Sequence, residues 1–561
     1  MTSPRGWSVL VGTLTAAVLV TTVKQQIFDT NFYSLWEATA LLAGDHPYRD
    51  FFEWGIPLQA GISALVQRAF GYRLFNEFVM QWAFLVAGAV IAFRLSVRLS
   101  RSIAASMAGA LLAWLLLADT PIYHYPKLFF YPLGVLLAWR YLDTPTVGRA
   151  AAMGLVTALA FLFRHDHGIY VGVAAVFALA FGCGGGAVAS WRDRSRHGAA
   201  FAAGAAVLLV PWLALVHDSE GLVEYVKTRY ELAAGDTAVN PFRLLLDMHP
   251  IRLIGSDVLD PGSEAQDHAR LWIEQVFLLV PLVMLIAAMA SLVRHRIRRV
   301  TPPPDLYAAL VAAGFLAVVD YRLFREASYA QIVGPLTAAV GAASLRWGPM
   351  LPTRLPAPSR RAAAWHRVRW TVAGVLFLMT MVAAGVNLRH GSLSGLVETV
   401  GDAPRMFRNL MARPPIEAFV PQSTVDGLRP NPGGTLPLMF LARYVHDCTR
   451  GGDRVLVTGS TPFDMGYLVE RPIAGGHLYW HKGWRSDERH EAQSLAMLRR
   501  QSVPFALATS DPVLQDLKRY PKIHEYFRSR YTVVEGSGGF LLVEAGRRAT
   551  GRWALGLPCF K

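Results

Sequence analysis

Apolar runs of membrane-crossing length recur along this chain from Trp7 to roughly Gly385 and then cease. A helix needs about 20 mainly apolar residues to cross a bilayer core. On that criterion, spans are expected near 7–24, 75–97, 102–118, 127–141, 149–163, 168–188, 198–216, 271–293, 305–320, 327–345 and 370–388. The 561 residues are 53% hydrophobic and 17% charged, whereas about a quarter are charged in a soluble domain. The length therefore divides into a membrane part and a polar remainder, not into several soluble domains. The expected fold class is a polytopic α-helical membrane protein of about eleven transmembrane helices over residues 1–388, with a small α/β domain over 389–561.

A formal charge of +15 would suit nucleic acid if it were gathered in one patch, but the basic residues fall in short clusters between spans. These are Arg94, Arg98 and Arg101; Arg140 and Arg149; Arg192, Arg194 and Arg196; Arg294, Arg296, Arg298 and Arg299; and the run from Arg346 to Arg369. They alternate with acidic or mixed loops, which is a topology signal and points to a membrane, with no nucleic acid as partner. The positive-inside rule puts these clusters, Arg5 and the N-terminus in the cytoplasm. The outward segments are then 24–74, 119–126, the turn around Arg164 to His167, 217–270, 320–326 and everything after about 388. The first apolar stretch lacks a small-residue cleavage site and is read as an uncleaved span. Arg- and Ala-rich composition associates the chain with a bacterial inner membrane.

Past residue 388 the pattern becomes mixed. Runs 453–459, 504–510, 531–536 and 539–546 read as strands, and 436–450 and 486–501 as helices. Gly459 and Ser460 follow a strand, but the spacing of a dinucleotide loop is missing. Cys448 and Cys559 flank this region and lack metal-ligand spacing; outside the cytoplasm they form a disulfide or remain two free thiols. Within the first outer loop, Ile56 to Phe70 carries apolar residues at helical spacing broken by Gln59, Gln67 and Arg68, which predicts a helix along the membrane interface. Leu222 to Leu232 has the same character.

Charged groups at membrane depth are expensive, so polar clusters at the outer ends of spans are candidate sites. The first follows span 1: Asp29, Asp50 and Glu53 sit among aromatic residues, where desolvation raises a carboxyl pKa and makes a better base. Glu37 and Asp45 are read as solvated loop acids. The second combines Tyr123, His124 and Lys127 with Arg164, His165, Asp166 and His167, whose cations could neutralise a phosphate. An Arg164–Asp166 ion pair is the plain alternative, and a divalent metal on the histidines a further one. The third holds Arg322, Arg325, Glu326 and Tyr329, with anion binding set against snorkelling to lipid headgroups.

The segment FFEWGIPL, residues 51–58, together with an acidic residue just after span 1, many spans and a C-terminal outer domain, resembles the GT-C superfamily of polyprenyl-phosphate-sugar-dependent membrane glycosyltransferases. Glu53, Pro57 and Leu58 match a segment of protein O-mannosyltransferases and lipid A aminoarabinose transferases. Asp29 matches the first member of that family's acidic pair, while Thr30 replaces the second. Arg325 with Tyr329 is similar to an arginine–tyrosine pairing of bacterial members.

The resemblance implies transfer of a sugar from a polyprenyl-phosphate donor to a lipid or glycan acceptor hydroxyl at the outer face. In that reaction Asp29, with Asp50 or Glu53, would be the base, and Lys127, Arg164, Arg322 and Arg325 would hold phosphate. Tyr123, His124, His165, Asp166, His167, Glu326 and Tyr329 would contact substrate. Two other classes compete: a transporter or flippase of lipid-linked sugars, and a non-catalytic assembly protein using Trp480, His481 and Trp484 as a glycan platform.

Overall fold

The computed structural model describes residues 4–21, 33–117, 125–182, 190–235, 263–300, 302, 304–323, parts of 371–382, 393–419, 438–459, 468–477, 480, 484–509, 511–535 and 537–561. The chain is mostly helical, with a small sheet region near its C-terminus. In order, the helices of the first part are α1 (Pro4–Thr21), α2 (Tyr33–Leu42), α3 (Pro57–Phe70), α4 (Leu74–Ser100), α5 (Ile103–Leu117) and α6 (Tyr125–Asp143). They continue as α7 (Val147–Phe163), α8 (His165–Gly182), α9 (Trp191–Ser219), α10 (Leu222–Gly235), α11 (Ser263–Ile297) and α12 (Pro304–Leu323). Among the described residues, three helices are long and apolar enough to cross a membrane, over Leu74–Ser100, Trp191–Ser219 and Leu279–Ile297, and the other apolar helices are shorter. The span expected at 327–345 lies outside the described residues, as does most of 370–388.

Helix α6 is apolar on all sides, so it packs on every side. It touches α4, α7, α8 and α12, and the Trp139 indole donates to the Ala308 carbonyl at 2.7 Å. Side-chain volume decides how closely α7 and α9 approach. A Cβ on Gly154 would lie 1.9 Å from the Phe201 carbonyl oxygen, and one on Gly204 would lie 2.1 Å from that of Ala151. Small residues at such a crossing allow backbone contact. Gly154→Val should therefore push the helices apart, an overpacking cost of about 1–3 kcal/mol or more. Detergent-extracted protein should show a lower melting temperature and an aggregated fraction in gel filtration. Gly148→Ala, where a Cβ meets nothing within 4 Å, should behave as wild type.

The basic clusters that fall on described residues, from Arg94 to Arg299, gather at one end of this bundle. Arg98 pairs with Asp143 at 2.5 Å and Arg101 with Asp305 at 2.9 Å, joining the end of α4 to the end of α6 and the start of α12. The opposite end is formed by the first turns of α4, α6 and α8 and the last turns of α7 and α9, and it receives the loops and the C-terminal domain. Helix α3 forms where its pattern predicts, but its glutamines do not face water. Gln59 donates to Ser34 at 3.4 Å, and Gln67 accepts from the Arg73 amide at 2.8 Å. Beside them the Glu77 carboxyl accepts from Ser34 (2.8 Å), Ser63 (2.7 Å) and Gln81 (3.1 Å). Mutual pairing among α2, α3 and α4 satisfies the Glu77 carboxyl without solvent.

After α13 (Leu393–Ala412) come α14 (Leu438–Cys448), β1 (Val455–Thr458), α15 (Glu488–Arg500), β2 (Phe505–Ala508), α16 (Pro521–Arg530), β3 (Tyr531–Val533), β4 (Leu541–Glu544), β5 (Gly551–Arg552) and β6 (Pro558–Cys559). The larger sheet has the order β1-β2-β4-β3, with β1 and β2 parallel and the other pairs antiparallel. Alternation sends Val455, Val457, Phe505, Leu507, Leu541 and Val543 to the face shared with Tyr444 and Phe560. Leu456, Ala506 and Leu542 go to the face covered by Leu498, Ile523 and Phe527 of α15 and α16. Both faces are thus buried, as a helix-covered parallel pair requires. Cys448 and Cys559 are joined by a disulfide across a separation of 111 residues; closing a loop of that length stabilises on the order of 4–5 kcal/mol in the chain-entropy account.

Candidate functional site

The segment 51–58 is a helix start. Helix α3 begins at Pro57, whose missing N–H costs nothing in the first turn. The Glu53 carboxylate reaches forward to the amides ahead of it, accepting from Gly55 N at 2.5 Å and from Ile56 N. Gly55 has φ +97, and a Cβ there would stand 2.9 Å from His165 Nδ1, so only glycine fits. The other oxygen of Glu53 pairs with Arg229 Nη2 at 2.9 Å, and the same nitrogen donates to the Glu53 carbonyl. Arg229 comes from α10, where it stacks over Tyr225 four residues earlier, 4.9 Å from the ring centre. On the other side, Glu37 of α2 accepts from the Trp54 amide at 2.7 Å.

This loop also carries the C-terminal domain. Asp45 pairs with Arg454 at 2.5 Å, and the Phe52 amide donates to the Gly476 carbonyl at 2.8 Å. Arg485 lies over the Phe52 ring at 4.4 Å and the Trp484 ring at 5.0 Å, and bonds Glu220 at 2.6 Å. His490 Nε2 is 3.8 Å from the same Glu220 oxygen. His477 meets Phe52 edge-on at 4.7 Å, and Trp54 meets Trp484 at 4.8 Å.

The four polar residues at the α7–α8 junction, Arg164 and the first turn of α8, face two ways. His165 turns towards the first loop: its amide donates to the Gly55 carbonyl at 3.2 Å, and its ring lies against Tyr225 and Trp212. Asp166 turns towards α6, pairing with Arg164 at 3.0 Å and lying 3.7 Å from both Lys127 Nζ and His167 Nε2. Lys127 and His167 are fully buried, while Arg164 and Asp166 keep about a third of their side-chain surface exposed. The junction Arg164 to His167 therefore joins a partly open cluster, with Lys127 and Arg164 against one carboxylate, to the carboxylate-rich loop. The Arg164–Asp166 ion pair is present, and Lys127 and His167 extend it. Because His165 and His167 point to opposite sides, they do not gather as metal ligands. Among the described residues no group of three or more His, Cys, Asp or Glu side chains could hold a metal ion.

Burial sorts the carboxylates differently from the sequence expectation. Asp50 was expected to be desolvated with a raised pKa; instead its hydrogen bonds from Arg49 hold the pKa low, which makes it a poor base. Arg49 Nη2 donates at 2.7 Å and the His46 amide at 3.0 Å. The Glu53 pKa is raised as expected, because burial outweighs the charge of Arg229. Both Glu53 oxygens are nevertheless engaged, one on the amides at the start of α3 and the other on Arg229. Neither Glu37 nor Asp45 is a solvated loop acid: Glu37 is 0% exposed, and Asp45 is shielded by Arg454. Asp29, Tyr123, His124, Arg325, Glu326 and Tyr329 lie outside the described residues, as does the side chain of Arg322.

Burial, and next the charge of Glu53, push the Glu37 carboxyl well above its ordinary range. A carboxyl whose folded pKa exceeds its unfolded value binds more protons when folded. Its stability contribution is complete below about pH 4.5 and is lost as pH rises through the folded value. Glu37→Gln should flatten the fall in melting temperature between mildly acidic and neutral pH, removing a slope of up to ~1.4 kcal/mol per pH unit. An unchanged slope would place the titration elsewhere.

No family model matches the chain, and no curated protein matches it. The fold and site define a mostly helical chain with, among the described residues, three helices fit to cross a membrane, and a disulfide-tied α/β domain seated on the loop end of its bundle.

Proposed function

We propose that this protein is a multi-pass membrane glycosyltransferase of the GT-C kind, moving a sugar from a polyprenyl phosphate to an acceptor hydroxyl. In this reading about eleven spans cross the inner membrane, the basic end of the bundle faces the cytoplasm, and the C-terminal domain lies outside. The observation that carries it is the junction Arg164–His167, which brings Lys127 and Arg164 beside the Glu53 loop, itself held by Arg229 of α10 and Glu37 of α2, at the end opposite the described basic clusters.

Phosphate is the leaving group, so the largest catalytic need is fixed positive charge where negative charge develops. Lys127 and Arg164 supply it, with the exposed edge of the cluster open to a headgroup. Asp166 fixes the two cations and yields Arg164 to a stronger anion. The acceptor proton goes to a carboxylate, a step worth roughly 10²- to 10⁴-fold. With Glu53 and Asp50 engaged, that role rests with Asp29. Asp29→Asn should abolish sugar transfer while membrane insertion stays at the wild-type level; retained transfer removes Asp29 from the reaction.

A further inference from the structure

The C-terminal domain reaches the first loop through an alternating set of buried charges: Glu53 and Arg229 on the membrane part, then Glu220 between α9 and α10, then Arg485 from the domain. The Arg485 side chain is 0% exposed and that of Glu220 is 5%. Among the described residues, two of the three Arg485 nitrogens, Nε and Nη2, have no hydrogen-bond partner. A guanidinium buried with that many unmet donors is costly, so packing alone does not account for it.

Its charge does account for it. Arg485 acts on Glu53 and Arg229 as well as on its direct partner Glu220, so two cations balance two carboxylates. The ring it covers, Phe52, is the residue before Glu53, and the Phe52 amide is bonded to Gly476 of the same domain.

We propose that Arg485 is a positioning residue by which the C-terminal domain clamps residues 45–56, so that the domain is a required, docked part of the transfer site and not an appended module. The function of this clamp rests on the reading of that loop as part of a sugar-transfer site, whereas its existence does not. Removing Arg485 leaves Glu53 and Glu220 with Arg229 as their one arginine and the His490 ring 3.8 Å from Glu220. Removing Glu220 as well restores the balance, and breaking one partner of a buried pair costs more than replacing both.

The test uses the full-length protein in lipid nanodiscs with two readouts. One is amide exchange at Phe52 and Trp54; the other is transfer from a polyprenyl-phosphate-linked hexose. Arg485→Gln should speed exchange at these amides on the order of 10²-fold and lower kcat for transfer with donor KM little changed. Glu220→Gln combined with Arg485→Gln should recover most of the protection. Arg485→Lys, which keeps the charge, should recover part of it.

Unchanged exchange in Arg485→Gln would overturn the clamp, and so would a double variant less protected than the single one. Loss of transfer with normal protection and raised donor KM would also overturn it, placing Arg485 on the substrate. If Arg485→Gln does not fold, recovery of folding in the double variant supports the clamp, and failure of both overturns it. Exchange that responds as expected in a protein showing no transfer would support the clamp and sink the transferase reading.

Discussion

Arg229→Gln is expected to destabilise the folded protein by about 3–5 kcal/mol, the usual consequence of leaving a buried charge without its partner. Arg229 is the direct ion-pair partner of Glu53, which is itself 1% exposed, and it also binds the Glu53 backbone carbonyl. Without it, the Glu53–Glu37 pair must take up a second proton or the start of α3 must open. The melting temperature should therefore drop steeply at neutral pH and recover partly in acid, where both carboxyls are neutral. A drop that is the same at every pH would show that Arg229 acts through packing on Tyr225 alone. Arg229→Lys should fall between, since a point charge can replace the ion pair but not the two-way contact to side chain and carbonyl.

The second large effect is expected at Lys127. This residue occupies the first turn of α6 with no exposed surface, 3.7 Å from Asp166. If it neutralises the departing phosphate, Lys127→Met, which keeps most of the volume, should lower kcat/KM for transfer on the order of 10²- to 10³-fold. The protein should still insert and hold the fold at neutral pH, because Arg164 remains paired with Asp166 at 3.0 Å. Activity within a few-fold of wild type would limit Lys127 to a structural role.

Much of the framework was legible because its signals are periodic. Strands β1, β2, β3 and β4 and helices α14 and α15 fall inside the predicted runs, since alternation and helical spacing directly encode which face is buried. The gathering of the described basic clusters, Arg94 to Arg299, at one bundle end followed from their placement between apolar runs; the run from Arg346 to Arg369 lies outside the described residues. The partners of the carboxylates were not legible. Glu37 and Asp45 looked like solvated loop acids because the residues that bury them, Trp54 and Arg454, lie 17 and 409 positions away. Glu53 was singled out from its motif, but the motif encodes a helix start, with the carboxylate spent on the amides of Gly55 and Ile56. Arg229 carried a weak local signal in its four-residue spacing from Tyr225, whereas nothing near Arg485 in the chain points to Glu220, 265 positions earlier. Long-range charge pairing leaves no period in a sequence, and it decides which carboxylates remain free for chemistry.

The most direct measurement is a transfer assay with the purified protein in proteoliposomes, supplied with a labelled polyprenyl-phosphate-linked hexose and an extract of membrane glycolipids as acceptor. Release of polyprenyl phosphate in step with a new labelled covalent product, lost in Asp29→Asn, is the expected result. Movement of the intact lipid-linked sugar between leaflets, with no covalent product, would contradict it.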